Sequence, residues 1–378
     1  MKKILLGFGF GLLFFGCQSS PISSPQGDQT SPLRIGAIAP LSGEVASLGI
    51  TLQNVTNMEV EQINQEGGIK GRPLEVVWED GKCDPAQASR ATQKLTGVDK
   101  VTFILAEECS GGTLGAAPIT EKRKVVLLSP VSTSPEITHA GDFVFRTAPS
   151  DSSQGKALAN YANTKFKKIG MLVEQVDYAV ALARVFEDNF NGEVVREDFT
   201  TTESDFKTRI TKLKNSDIEA LFLDTNVGPK FEIITKQLQE QNWEKPVFTN
   251  EAAPGLLETT LKYADFFLKH DLVSSNFVAP ENTRVQNIVA IYEQKFGEKP
   301  NYINYIAATL DSIDVMKYVL EQATDPTNAE EIRDILYATK DFPGIYGSLS
   351  FDENGDVNIT HSLFKFDGEK FIPVSDEQ

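Results

Sequence analysis

The chain has 378 residues, with 36 basic against 53 acidic side chains, a formal charge of −17, three cysteines and three histidines. That length exceeds what one hydrophobic core organises and points to two domains, and a hydrophobic share of 40% with 24% charged residues is that of a globular protein. The acidic excess argues against nucleic acid or an anionic membrane surface as the main partner, and three cysteines cannot staple a chain this long.

In chain order, Met1-Lys2-Lys3 is a short basic start and Ile4 to Gly16 an uncharged run of thirteen. That run is too short to span a ~30 Å hydrocarbon core as a helix and reads as the apolar region of a secretory signal. It ends in Leu13-Phe14-Phe15-Gly16-Cys17, which resembles a bacterial lipoprotein signal, with Phe14 and Phe15 as departures. Residues 1–17 are therefore expected to be a signal ending in a lipidated Cys17; cleavage near Gly16 with a free Cys17, or an uncleaved anchor, are the alternatives. Residues 18–32, rich in Ser, Pro and Gln, suit a flexible tether. No later apolar run approaches membrane length.

From residue 33 strands and helices alternate. Strands are expected at 33–39, 73–79, 101–106, 125–129 and 143–146, with helices at about 49–65, from Asp84-Pro85 onward, and at 113–123. Gly67-Gly68 supplies a helix stop, and Asp84-Pro85 an N-cap with a first-turn proline. The polar segment 148–153 marks a crossing, after which the pattern restarts. Strands follow at 169–173, 194–199, 220–223 and 246–249, with helices at about 179–190, 206–214 and 231–241. The last third reads as helices at 284–296, 305–321 and 329–337, then short strands at 348–351, 362–366 and 371–374. This alternation implies an α/β protein with parallel sheets, built twice.

In open parallel sheets ligands bind beyond the carboxyl ends of the strands. After 101–106 come Glu107, Glu108, Cys109, Ser110, Gly111 and Gly112, whose helix start offers N–H groups and a hydroxyl to an anion. After 125–129 come Val131, Ser132, Thr133 and Ser134. The second unit offers Glu174 to Tyr178, Asp224 to Asn226, and Asn250-Glu251 at its strand ends. One unit thus offers anion-binding elements and the other an aromatic and carboxylates, which suits a zwitterion held between two lobes. Cys83 and Cys109 also lie just beyond expected strands. In an exported protein such a pair favours a bridge over free thiols, whereas a metal site would need further soft ligands that the neighbouring sequence does not offer. If the two strands are neighbours, the sulfurs can meet at one sheet edge, and the closed loop would stabilise the fold by roughly 3–4 kcal/mol.

Several stretches together resemble the type I periplasmic binding proteins, the leucine/isoleucine/valine-binding receptors of amino-acid ABC transporters. They are residues 35–43 (IGAIAPLSG), 63–71 (INQEGGIKG), Cys83-Asp84-Pro85, Cys109-Ser110, Ser129-Pro130, Pro135-Glu136, Arg146-Thr147, 151–155 (DSSQG) and 347–356 (GSLSFDENGD), in consistent order from residue 33. The resemblance implies two Rossmann-like lobes joined by three hinge crossings near 147–150, 276–280 and 347–351. It assigns 33–147 and 278–347 to lobe 1, and 148–277 and 348–378 to lobe 2. It also implies a Cys83–Cys109 bridge. By the same resemblance Ser110 and Thr133, with the Val131 backbone alongside, hold a ligand carboxylate, Glu251 takes the ammonium, and Tyr178 covers the ligand. Leu48 and Val227-Gly228 stand where aromatics are usual in the family, and Glu107 and Glu108 add charge near an otherwise apolar pocket.

The expected function is therefore a lipid-anchored, extracytoplasmic receptor, in the periplasm or at the cell surface, passing an amino acid or similar small polar solute to a membrane ABC permease. It is expected to be a monomer without cofactor, metal or nucleic-acid partner. A surface-anchored sensor that signals to a membrane partner is the alternative. An enzyme is disfavoured, because His139, His270 and His361 lack a nucleophile and orienting acid at recognisable spacing, and no Gly-rich phosphate loop occurs.

Overall fold

The near-continuous apolar runs become inner strands of two sheets, as strands covered on both faces must. The computed structural model describes Met1 and residues 31–106, 109–226, 228–251, 255–277 and 282–374. Strands β1 (Leu33–Ala39), β2 (Leu74–Asp80), β3 (Phe103–Ala106), β4 (Val126–Ser129) and β5 (Val144–Arg146) form a five-stranded sheet in the order β2-β1-β3-β4-β5. All its pairs are parallel. The second sheet contains β6 (Lys168–Glu174), β7 (Glu193–Phe199), β8 (Ala220–Asp224), β9 (Val247–Thr249) and β10 (Val273–Asn276), again parallel. Two antiparallel strands, β13 (Ser362–Phe366) and β14 (Phe371–Pro373), extend it beyond β10, while β11 (Phe342–Gly344) and β12 (Gly347–Leu349) make a separate ribbon.

Helices cover both faces of each sheet. In the first unit α1 (Ala46–Gln65) and the returning helices Ile303–Gln322 and Ala329–Ala338 bury Val60, Ile63, Ile313, Val319 and Leu336 against Ile35, Phe103 and Leu128. On the opposite face α2 (Pro85–Gly97) and α3 (Ser110–Arg123) pack Ala88, Leu95 and Ala116 on Ile38, Ile104 and Leu127. In the second unit α4 (Asp151–Lys165) and α5 (Asp177–Asn189) cover one face, and α6 (Lys207–Lys214) and α7 (Lys230–Glu240) the other. The architecture is α/β with two lobes. Local signals operate as read: Asp84 accepts from the Gln87 N–H at 2.8 Å with Pro85 in the first turn, and α1 stops at Gly67-Gly68. Gly68 has φ +72°, and a Cβ there would collide with the Arg72 carbonyl.

Three features differ from the sequence reading. The polar run at 151–155 opens α4, capped by Ser150, whose hydroxyl accepts from the Ser152 N–H at 3.3 Å; a helix start made of polar residues carries no apolar signal. Strands β2 and β3 are not neighbours but flank β1. The Cys83–Cys109 disulfide nonetheless forms, with Cα atoms 5.1 Å apart, between residues that follow the two strands on either side of β1. Finally, the last passage to the second sheet comes after the expected turn at 347–351. Phe351 and Val357 are buried in the first unit's core and bridge each other, so the chain stays there until just before β13. The signal with Cys17, nearly all of the tether, Glu107, Glu108, Val227 and residues 278–281 of the middle passage lie outside the described residues. Among those described, no helix is long and apolar enough to cross a membrane.

Asp311, buried on the helix Ile303–Gln322, accepts from the Ile345 N–H at 2.7 Å and so pins the ribbon. Burial pushes its carboxyl up to about 6, only partly offset by the N–H groups of Ile345 and Tyr346. A carboxyl raised in the folded state contributes favourably below its unfolded value near 3.8 and loses that contribution as pH rises through about 6. Asp311→Asn should therefore gain on the wild type by up to ~2 kcal/mol between pH 4 and pH 7 in urea melts. Parallel pH dependence in the two proteins would contradict this.

Candidate functional site

The carboxyl ends of both sheets meet at one cleft. From the first unit, Ser110 follows β3 as the first residue of α3, and Val131 and Thr133 follow β4; from the second, Tyr178 follows β6 and Asn226 follows β8. These residues, with Leu48, Cys109 and Tyr305, enclose a cavity of about 20 Å³, little more than a buried water needs. It adjoins a wider cleft of about 460 Å³, whose walls include Glu44, Lys82 to Pro85 and Ser110 on one side and Glu174 to Tyr178, Asn226 and Lys230 on the other.

The α3 end of the cavity suits an anion. Free N–H groups and the positive end of the helix dipole converge at Ser110-Gly111-Gly112, and the disulfide fixes the N-cap residue, Cys109. The Ser110 hydroxyl accepts from the Ser134 N–H at 3.2 Å, so its own hydrogen remains available to a ligand. Thr133 differs: its hydroxyl donates to Asp151 at 2.8 Å and offers a ligand only lone pairs. The Val131 N–H turns toward the Ser129 hydroxyl at 3.3 Å.

Glu251 is fully buried but stands one layer behind the cavity wall. Its carboxylate accepts from Gln154, from the Tyr178 hydroxyl at 2.9 Å and from the Tyr305 hydroxyl at 3.1 Å. Burial raises its carboxyl above the usual range, while the bonds from Gln154, Tyr178 and Tyr305 pull it back. Asp151 is raised well above the ordinary value by burial and by repulsion from Glu251, with Thr133 and Arg146 acting against the rise. Asp224 is likewise raised by burial, and Glu174 by burial against a bond from the Asn226 N–H at 2.9 Å.

Ser110, Val131, Thr133 and Tyr178 thus share one cavity, and Glu251 reaches it through tyrosine hydroxyls. Sequence reasoning marked Asn226 only as a strand-end residue and missed Tyr305, Asp151 and Gln154 as parts of the site. The 151–155 run was the available signal for two of them. Tyr305 comes from the start of a long helix, far from any strand end.

Several contacts cross the cleft: Thr133 to Asp151, Tyr305 to Glu251, and Lys230 to Glu44 at 3.2 Å. At Gly111 the two units approach closely. A Cβ there would strike the Asp177 carboxylate at the head of α5 and sit 3.3 Å from Pro85. The Asp177 carboxylate can yield to a methyl group but not to a bulky side chain, so Gly111→Leu should hold the lobes apart, seen as a larger radius of gyration in X-ray scattering with an unchanged circular-dichroism spectrum. An unchanged radius would contradict the closeness of this contact.

The sequence matches the family model described as "Periplasmic binding protein" over residues 32–367. It is 28% identical over 345 residues to the Leu/Ile/Val-binding protein of Escherichia coli strain K12, covering 86% of this chain and 88% of the relative. It is 25% identical over 361 residues to the Leu/Ile/Val-binding protein BraC3 of Rhizobium johnstonii, covering 90% and 93%. Its fold superposes with a TM-score of 0.79 on the branched-chain amino acid transporter substrate binding protein LivJ of Streptococcus pneumoniae in complex with isoleucine, at 27% identity over 90% of this chain and 97% of that one. With two parallel-sheet lobes meeting at a shared cavity, the chain belongs to the periplasmic binding protein family, as a type I solute-binding receptor and not an enzyme.

Proposed function

We propose that this protein is a lipid-anchored, monomeric extracytoplasmic receptor that captures an α-amino acid between its lobes and delivers it to a membrane ABC permease. The observation that carries this reading is the polarity of the cavity. An anion-binding helix end with a free serine hydrogen lies on one side, and a buried carboxylate behind two tyrosine hydroxyls on the other. The ligand carboxylate sits at Ser110 and the start of α3. Its ammonium donates to the Thr133 lone pairs and to Glu251 once the hydroxyls of Tyr178 and Tyr305 give way. Leu48, Val131 and the disulfide are left to the side chain, which favours an aliphatic one, in line with the ligands named for the relatives. A cavity of about 20 Å³ admits such a ligand only when the lobes part and close again.

Ligand that binds the closed form raises the melting temperature. Screening the twenty amino acids by thermal shift should find a stabilising ligand among the aliphatic ones. Ser110→Ala and Glu251→Gln should each weaken that ligand by ~1–3 kcal/mol, the cost of an unmade charged hydrogen bond, or about five- to 150-fold in titration calorimetry. Unchanged affinity in both variants would remove the ligand from this cavity.

A further inference from the structure

His361 has no role in the receptor reading, yet it faces the most charged part of the interior. It lies just before β13, Asp151 opens α4, and Glu251 follows β9, so all three belong to the second unit. Each is buried, and one ligating atom from each lies within 4.8 Å of the others.

The hydrogen bonds fix which histidine nitrogen is free. The Ser153 hydroxyl donates to the Ser150 carbonyl at 2.8 Å. It must therefore accept at the 2.9 Å contact with His361 Nδ1, which carries the ring proton. Nε2 is left as a bare lone pair, buried and without a partner. Asp151 Oδ1 and Gln154 Oε1 are also buried and unpartnered. Two carboxyl groups thus cluster with an imidazole, and His361 Nε2 and Asp151 Oδ1 are left as buried acceptors without partners, a set that a cation would complete.

We infer that Asp151, Glu251 and His361 form a binding site for a first-row divalent metal ion, Zn²⁺ or Mn²⁺. One nitrogen and two carboxylate oxygens are the donor set such ions take, whereas Ca²⁺ and Mg²⁺ take oxygen alone. Metal–ligand bonds of ~2.0–2.2 Å need ligand atoms no more than about 4.4 Å apart, a few tenths of an ångström below the 4.8 Å bound. The surroundings are those of ligands held for metal. Ser153 orients the imidazole through Nδ1, Thr133 donates to Asp151, and Tyr178, Tyr305 and Gln154 donate to Glu251. Thr133 and Tyr305 come from the first unit, so the ion enters when the lobes part. Bound metal and a ligand ammonium compete for Glu251.

The test is titration of the chelator-treated full chain with Zn²⁺ and with Mn²⁺, alongside His361→Gln and Asp151→Asn. The expected result is about one equivalent bound by the wild type, weakened at least about a hundredfold in each variant. The chain has three histidines, so nitrogen NMR of the imidazoles gives a readout on the wild type alone. Zn²⁺ should shift His361 Nε2 while Nδ1 keeps its proton. No binding, equal binding in both variants, or a shift confined to His139 and His270 would overturn the site. Amino-acid binding measured with chelator present stands or falls separately.

Discussion

The guanidinium of Arg146 is the interaction on which the rest of the structure depends. It is the last residue of β5, fully buried, and uses all five of its N–H donors. Two form a bidentate pair with Asp356 at 2.7 and 2.8 Å, two reach the carbonyls of Thr133 and Ser134 at 2.9 and 2.8 Å, and one reaches the Thr138 hydroxyl at 2.8 Å. Its backbone N–H also takes the Gly355 carbonyl at 3.1 Å. One side chain thereby joins the strand from which the chain leaves the first unit, the loop bearing Val131 and Thr133, and the turn that precedes the return to the second sheet. Burying such a charge is favourable only when every donor is met. A lysine, with a single point charge, could not reproduce the fork. The loop bearing Val131 and Thr133 is thus set by the same group that ties the two passages together.

Against this cation-centred side, the second unit presents buried acids. Asp151, Asp224 and Glu251 are fully buried and their carboxyls are all raised by it. The closed lobes partly answer them with hydroxyl donors from the first unit, Thr133 and Tyr305. Each such hydrogen bond is worth only ~1 kcal/mol net. A ligand or ion that supplied positive charge to the same carboxylates when the lobes are closed would favour the closed form by that differential affinity. Three of the 53 acidic side chains are thus organised inside the molecule.

Much of this was legible in the sequence, for a physical reason. Buried parallel strands such as β1 and β8 are near-continuous apolar runs, and helix starts and stops carry their own chemistry at Asp84-Pro85 and Gly67-Gly68. What stayed hidden is polar and buried at once. In β10 Ser274 buries its hydroxyl by donating to the Asn250 carbonyl at 2.7 Å, so the strand lacks an apolar signature. The start of α4 reads as a linker because Asp151 and Gln154 point inward to other polar groups. Tyr305 and His361 meet Glu251 and Asp151 only through the topology that brings a long helix and a late passage to the cleft.

In the proposed receptor a ligand is held at both ends, by the start of α3 in one unit and by Glu251 in the other. A crystal structure with the tightest-binding amino acid tests it directly. The ligand carboxylate should lie within hydrogen-bond distance of the Ser110 hydroxyl, with Glu251 released from Tyr178 or Tyr305 and bonded to the ammonium. A ligand seated only in the outer cleft by Lys82 and Lys230, with both tyrosines still donating to Glu251, would contradict it.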